Sequence, residues 1–165
     1  MPGVHNQTYI CAQDGFRVGK KTNNTEVISK DGVIFNGGVN CVRKRFTTAQ
    51  VNAGAPIVEG IEGKKLRLVD ATLVAVGGGN ASGATSVDIV SKQSDSTVKL
   101  VAGAVAGLEQ NDYLNMFAAA NVTLLDGGAS LIANDAGEGI SIAKTGSSLA
   151  TVEHIDAIVS YVVED

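Results

Sequence analysis

Short apolar segments recur along most of this chain, separated by clusters of Gly, Asn and Asp. From Phe46 onward they return about every ten to fifteen residues, a spacing typical of a β-sandwich or β-barrel. Alternation within the segments supports strands, since Ile140 and Ile142 share one face across Ser141. The pattern predicts an all-β, antiparallel fold. The predicted strands are Ala55–Val58, Lys65–Val76, Thr85–Val90, Thr97–Val101, Leu114–Ala118, Val122–Leu125, Leu131–Ala133, Gly139–Ala143 and Val152–Val163.

The first 45 residues have a different pattern of apolar residues and glycines. Three short β-prone pieces (16–18, 26–28 and 33–35) are separated by glycines, and Asp31-Gly32 between the last two is a strong hairpin signal. Few large apolar residues are available, so this segment should become ordered only against another surface. We therefore predict two parts: an N-terminal β-hairpin arm, residues 1–45, and a sandwich, residues 46–165.

Two of the predicted strands are apolar on both faces, which requires cover on both sides. In "RLVDATLVAVGG" (67–78) the pattern places Val69, Ala71, Leu73 and Ala75 on one face and Thr72, Val74 and Val76 on the other. In "HIDAIVSYVV" (154–163) it places Ile155, Ala157, Val159, Tyr161 and Val163 on one face and Ile158 and Val162 on the other. A two-layer sandwich covers only the inner face, so the outer face meets either a neighbouring subunit or the arm or a loop of the same chain. The candidate subunit-interface residues are Leu73, Val74, Val76, Ile158, Tyr161 and Val162.

Charge divides the chain at the same place. Residues 1–45 carry seven basic and three acidic side chains, net +4, whereas residues 46–165 carry six basic and fourteen acidic ones, net −8. A basic segment can bind nucleic acid, an anionic membrane or an acidic protein surface. Seven partly offset charges would bind nucleic acid only weakly, and no row of aromatic residues is available for base stacking, so we expect no nucleic-acid partner. Without an apolar run of about 18 residues or a secretory leader, the sequence also gives no reason to expect a membrane partner.

The cysteines and histidines do not form a recognisable reactive group. Cys11 and Cys41 stand thirty positions apart with no histidine at zinc spacing, and we expect both to be reduced and structural. His154 precedes Asp156 on the same strand face, but no serine or cysteine motif supplies a nucleophile for it to activate. We expect a strand histidine paired with a neighbouring carboxylate.

Other catalytic and ligand motifs are incomplete. "STVK" (96–99) and "KTG" (144–146) have the forms used by serine β-lactamases, but the first falls on a predicted strand and no S-D-N lies between them. The glycine-rich stretches 15–22 and 77–83 lack phosphate-loop spacing, and no calcium-loop pattern occurs. We therefore predict no enzyme activity, no cofactor and no metal.

One set of phrases carries a family resemblance. "FTTAQVNAGAPIVEGIEGKKLRLVDATLVAVGG" (46–78), "GATSVDIV" (83–90) and "LEQNDYL" (108–114) resemble a β module of virion structural proteins of tailed bacteriophages, in particular small head-decoration and head-fibre proteins. The resemblance covers most of residues 46–165, and the arm lies outside it. It implies a β-sandwich of jelly-roll type, a homotrimer, on the outer surface of an icosahedral head after production in the host cytoplasm. In this view the Thr, Asn and Gly of "TTAQVNAGA" (47–55) form turns that lead into the first strand.

The resemblance gives the basic arm a role. It would attach the trimer to the major capsid protein, or to another minor virion protein, while the acidic sandwich projects into solvent. The candidate attachment residues are Arg17, Lys20, Lys21, Arg43, Lys44 and Arg45. The expected function is a non-enzymatic decoration or cement protein. The alternative is a fibre module that binds a receptor or carbohydrate through the loops 77–83 and 134–139, although these loops lack the aromatic faces that sugar sites usually present.

Overall fold

The computed structural model describes residues 38–117 and 132–165 in full, together with the backbone of five short strands outside them. Four of these strands form one antiparallel sheet in chain order: β1 (Tyr9–Cys11), β2 (Gly15–Arg17), β3 (Val27–Ser29) and β4 (Gly32–Ile34). At the position of the predicted hairpin, β3 and β4 pair antiparallel with Ser29 opposite Gly32. Lys20 and Lys21 lie outside the described residues.

Two larger antiparallel sheets make a sandwich-like, all-β body, as the alternation predicts. The first sheet has the order β10-β7-β13-β5. Its strands are β5 (Val39–Thr47), β7 (Lys65–Val76), β10 (Tyr113–Asn115) and β13 (His154–Glu164). The second sheet has the order β11-β9-β8-β12-β6. Its strands are β6 (Pro56–Val58), β8 (Ser82–Gln93), β9 (Ser96–Ala104), β11 (Val122–Thr123) and β12 (Ile140–Ala150).

One apolar core joins the two sheets. Val87 and Ile89 of β8 and Ile140 and Ile142 of β12 are completely buried, as their alternation predicts. They belong to the same cluster as the inward side chains of β7 and β13. The predicted strand bounds agree best for β7. The predicted strand 131–133 is wrong at Ile132 and Ala133, which are not in a strand, whereas Leu131 lies outside the described residues.

A β-bulge corrects the face assignment in β7. Ser160 of β13 pairs with Asp70 but Tyr161 pairs with Leu68, so Val69 is the extra residue. The bulge reverses the alternation: Leu66 and Leu68 are buried before it and Ala71 and Leu73 after it, while Val69 is 45% exposed. The prediction that Val69 shares a face with Ala71 was therefore wrong.

The stretch expected to form turns contains a short helix, α1 (Thr48–Ala53). Thr47 and Gln50 form a capping box, in which the Gln50 amide donates to Thr47 Oγ1 and the Thr47 amide donates to Gln50 Oε1 at 2.8 Å. Gly54 ends the helix in the left-handed region at φ 78°. The turn prediction was wrong for these residues because T-x-x-Q is also a helix start signal.

The predicted boundary between residues 45 and 46 falls inside β5. This strand runs from Val39 to Thr47 and pairs with β13 along its whole length, from Thr47 opposite His154 to Val39 opposite Val162. Arg43, Lys44 and Arg45 thus belong to the edge strand of the first sheet. The part that precedes the sandwich ends near residue 38.

Candidate functional site on the outer faces of the sheets

The outer face of the first sheet contains a buried carboxylate held by two arginines. Asp156 of β13 lies opposite Arg45 of β5. Arg45 binds it through two nitrogens, Nε to Oδ1 at 2.6 Å and Nη2 to Oδ2 at 2.9 Å, and Arg43 Nη2 donates to Oδ2 at 2.7 Å. Two-point arginine contacts of this kind are among the stronger hydrogen bonds in proteins.

Electrostatics keep this carboxylate ionised. The hydrogen bond from Arg45 contributes most to lowering the pKa of Asp156 to about 2, with help from Arg43 and against the opposing effect of burial. In return, Asp156 raises the pKa of Arg45. Asp156 is only 1% exposed, whereas the side chains of Arg43 and Arg45 remain 59% and 54% exposed. This Arg43–Arg45–Asp156 cluster therefore presents more positive than negative charge at the β5 edge.

The other predicted attachment residues are placed differently. Lys44 donates to the Pro56 carbonyl at 2.8 Å and lies 5.6 Å from the centre of the Phe46 ring, so it bridges the adjacent edges of the two sheets. For Arg17 the structure describes only the backbone, in β2. The structure therefore does not show the six predicted residues together in one surface patch. Three of them, Arg43, Lys44 and Arg45, make contacts within the sandwich.

A second buried carboxylate lies on the outer face of the second sheet. Asp88 of β8 is 1% exposed and accepts hydrogen bonds from Ser86 Oγ at 2.7 Å and Thr145 Oγ1 at 2.6 Å. Lys99 Nζ is 3.4 Å from Asp88 Oδ2 and also donates to Thr145 Oγ1. The fold thus brings together one residue from each of the two β-lactamase-like motifs, but around a carboxylate.

Neither histidine nor serine chemistry is assembled at these clusters. No hydrogen bond joins His154 to Asp156, so the predicted histidine–carboxylate pair was wrong: the arginines occupy the carboxylate oxygens. Ser96 opens a strand beside the β8–β9 turn, opposite Gln93, and does not begin a helix. Within residues 38–117 and 132–165, no group of three His, Cys, Asp or Glu side chains could hold a metal ion.

The candidate interface residues divide between the core and the outer face. Leu73 and Tyr161 lie in the chain's own core, so they are not available to a neighbouring subunit. Val74 is also buried, but on the outer face, opposite Tyr113 of β10. The remaining three are half-buried on the outer face: Val76, Ile158 and Val162.

Sequence reasoning missed two exposed large hydrophobic side chains of this sheet. Tyr113 is 65% exposed at the β10 edge, and Val39 is exposed at the start of β5. Cys41 is a free thiol, as expected, but it is exposed and not a buried structural residue. Tyr113 follows the turn-forming pair Asn111-Asp112, and no local pattern distinguishes an exposed edge tyrosine from a buried one.

The two loops proposed for carbohydrate binding are packed against, or hydrogen-bonded to, neighbouring parts of the sandwich. Gly77 and Gly78 have positive φ, and a side chain at Gly78 would overlap the Thr151 carbonyl. In the other loop, Asn134 is buried and pairs with Leu66, whose amide donates to Asn134 Oδ1 at 2.5 Å. The side-chain nitrogen of Asn134, Nδ2, donates to Ser91 Oγ at 2.9 Å. Asn134 therefore joins β7 of the first sheet to β8 of the second.

Comparisons of the chain with protein families, with curated proteins and with solved structures find no match. Among the residues that the structure describes, no helix is long and apolar enough to cross a membrane.

Proposed function

We propose that the chain is a non-enzymatic structural protein of a tailed-bacteriophage virion, which decorates or cements the outer surface of the capsid as a homotrimer. The observation that carries this proposal is the strand order of the two larger sheets. If β5 is counted as the first strand and the two-residue β11 is left aside, the first strand lies beside the eighth and the second beside the seventh. The sheets then read 1-8-3-6 and 2-7-4-5. This order supports a jelly roll, an architecture that occurs in viral capsid domains.

The surface chemistry is consistent with a binding role. Each of the two buried outer-face carboxylates is bound by side chains of its own sheet, so each cluster joins neighbouring strands within one sheet. Decoration requires only complementary surfaces, because binding across capsomer junctions stabilises a shell by mass action. Three arms on one trimer would multiply weak individual contacts through effective concentration.

We assign attachment to the residues before the sandwich. Three of the six candidate attachment residues, Arg43, Lys44 and Arg45, have partners within the sandwich. We therefore keep only Arg17, Lys20 and Lys21 as attachment residues, because they carry positive charge in the segment before the sandwich. The major capsid protein is the expected partner, with another minor virion protein as the second choice.

Particle binding tests this assignment. A chain lacking residues 1–37 keeps β5 intact and should retain the circular dichroism spectrum of a β protein, yet should no longer bind virions of the encoding phage. In the full chain, Lys20→Glu with Lys21→Glu should weaken binding, whereas Lys65→Glu, on an exposed position of β7, should not. Unchanged occupancy by the truncated chain would refute the attachment assignment.

Electron microscopy tests the function itself. Density for this chain on the outer surface of intact particles is the expected result. Its absence from particles that otherwise contain their full set of proteins would refute the proposal.

One observation favours the alternative, a receptor- or carbohydrate-binding module. The exposed Tyr113 supplies the aromatic face that the two loops lack, and the loop 77–83 approaches the same segment because Asn80 Oδ1 accepts from the Gln110 amide at 2.8 Å. A glycan-array signal that Tyr113→Ala removes would support this alternative. No signal for the wild-type chain would exclude the glycan form of it.

A further inference from the structure

The first sheet has two edges of opposite character. At the β5 edge, Arg43 and Arg45 share one carboxylate and keep more than half of their side-chain surface exposed. At the β10 edge, Tyr113 is exposed, and the exposed acids Glu109 and Asp112 precede it in the chain. No lysine or arginine occurs in the sequence between Lys99 and Lys144, so the β10 side has no local counter-charge of its own from that segment.

Strand register places these two features at the same height. Arg45 lies opposite Asp156, Asp156 opposite Val74, and Val74 opposite Tyr113. One row across the sheet thus begins with an arginine and ends with a tyrosine. If a second copy is set beside the first with its sheet continuing in the same direction, Tyr113 of one copy meets Arg45 of the next, and Arg43 lies two positions further along β5 on the same face.

Charge selects the way in which two copies meet. A two-fold contact of β5 with β5 would place Arg43 and Arg45 against the same residues of the partner, and like charges directly opposite one another are destabilising. A two-fold contact between β10 edges would bring the acids together. Head-to-tail contact pairs the basic edge with the acidic edge, and head-to-tail contacts close into rings when the rotation permits.

We infer that the chain self-associates head to tail, with the β5 edge of one copy docked on the β10 edge of the next. In this contact the guanidinium groups of Arg43 and Arg45 pack on the ring of Tyr113 and face Glu109 and Asp112. The inference deepens the proposed function and rests on its expectation of several copies, but it specifies the contact independently of any capsid.

The test uses two full-length variants, each altered at only one of the two edges of the first sheet. The acidic-edge variant is Glu109→Lys with Tyr113→Ala. The basic-edge variant is Arg45→Ala, which removes the arginine in the row of Tyr113 and leaves Arg43 to donate to Asp156 Oδ2. The control is Arg67→Ala, because Arg67 is ion-paired with Glu164 on the same sheet but lies on an interior strand. Oligomeric state is measured by sedimentation velocity over a dilution series, and folding by circular dichroism and thermal unfolding.

The wild type and the Arg67→Ala control should form a closed oligomer that weakens as salt rises. Each edge variant should raise the dissociation constant about tenfold or more. An equimolar mixture of the two variants should form dimers and nothing larger, because each pair joins one intact acidic edge to one intact basic edge and leaves only defective edges outside.

Three results would overturn the inference: a monomeric wild type, folded variants that assemble as the wild type does, or a mixture that forms no dimers. An edge variant that loses its β spectrum is replaced by Tyr113→Ala alone, whose exposed side chain is not needed for the core. Virion binding by a monomeric wild type would refute this contact and the homotrimer, but would keep the decoration role. A ring that fails to bind virions would do the reverse.

Discussion

Two aspartates with the same burial are held in different ways on opposite faces of this sandwich. Asp156 and Asp88 are each 1% exposed. Two arginines of the edge strand β5 bind Asp156, whereas Asp88 receives two hydroxyl groups at close range and a lysine at 3.4 Å. Asp156 thus ties an edge strand to the first sheet, and Asp88 ties together the interior strands β8, β9 and β12 of the second.

The difference shows two ways to place a charge on a sheet face. Formal ion pairs lower the pKa of the carboxyl and make stability depend on pH. Hydroxyl donors satisfy the oxygens without bringing a counter-charge, so we expect most of the stabilisation to survive when the lysine is removed. Substitutions at the two clusters can separate these effects.

The largest effect is expected from Asp156→Ala. It removes the acceptor of three charge-assisted hydrogen bonds and leaves two arginines of β5 unpaired, so the free energy of unfolding should fall by about 3 kcal/mol. Chemical denaturation at neutral pH measures this value. Glu164→Ala, which breaks the more exposed pair with Arg67, is the control and should cost less than about 1 kcal/mol. Equal losses for the two variants would show that burial of Asp156 contributes nothing.

The next effect is the pH dependence of the same group. The pKa of Asp156 is about 2 in the folded chain, against about 3.9 for an unperturbed aspartate. The unfolded chain therefore takes up its proton first as pH falls, so the contribution is complete above about pH 4 and disappears towards about pH 2. The difference in unfolding free energy between wild type and Asp156→Asn should shrink by about 2 kcal/mol across this window. A constant difference would contradict the lowered pKa.

A smaller loss is expected from Asp88→Asn, about 1.5 kcal/mol at neutral pH. The amide can still accept from Ser86, but its nitrogen cannot accept the hydrogen bond that Thr145 now donates. Thermal unfolding of this variant beside Asp156→Asn compares the two clusters directly. A larger loss at Asp88 would reverse the ranking.

The smallest effect is expected from Lys99→Met, at most about 0.5 kcal/mol, since the lysine is partly exposed and 3.4 Å from the carboxylate. Methionine preserves most of the length of the apolar stem. A loss comparable to that of Asp88→Asn would mean that the lysine, and not the hydroxyl groups, holds Asp88.

Local alternation was sufficient to predict most strands of the sandwich, because one buried face imposes a period of two on the sequence. It could not assign the inner face where both faces are apolar, and Leu73 and Tyr161 were expected at an interface for that reason. The bulge at Val69 arises from pairing with β13, about ninety residues away in the sequence, and leaves no local signal.

The two aspartate clusters show the same limit. Arg45 and Asp156 are separated by 111 positions, and only the pairing of β5 with β13 brings them together. Basic residues 43–45 therefore looked like the end of a charged arm. Helix α1 is a different case, because its capping signal was present in the sequence and the neighbouring Asn and Gly favoured a turn instead.

The side-chain amide of Asn52 joins helix α1 to the sandwich, because it pairs with the backbone of Leu149 as a neighbouring strand would. Asn52 Oδ1 accepts from the Leu149 amide at 2.8 Å, and Asn52 Nδ2 donates to the Leu149 carbonyl at 3.2 Å. A backbone hydrogen held by a side chain can exchange with heavy water when that side chain releases it. The deuterium uptake of Leu149 is therefore a direct gauge of how often the helix lifts from β12, and it can be followed without unfolding the sheets.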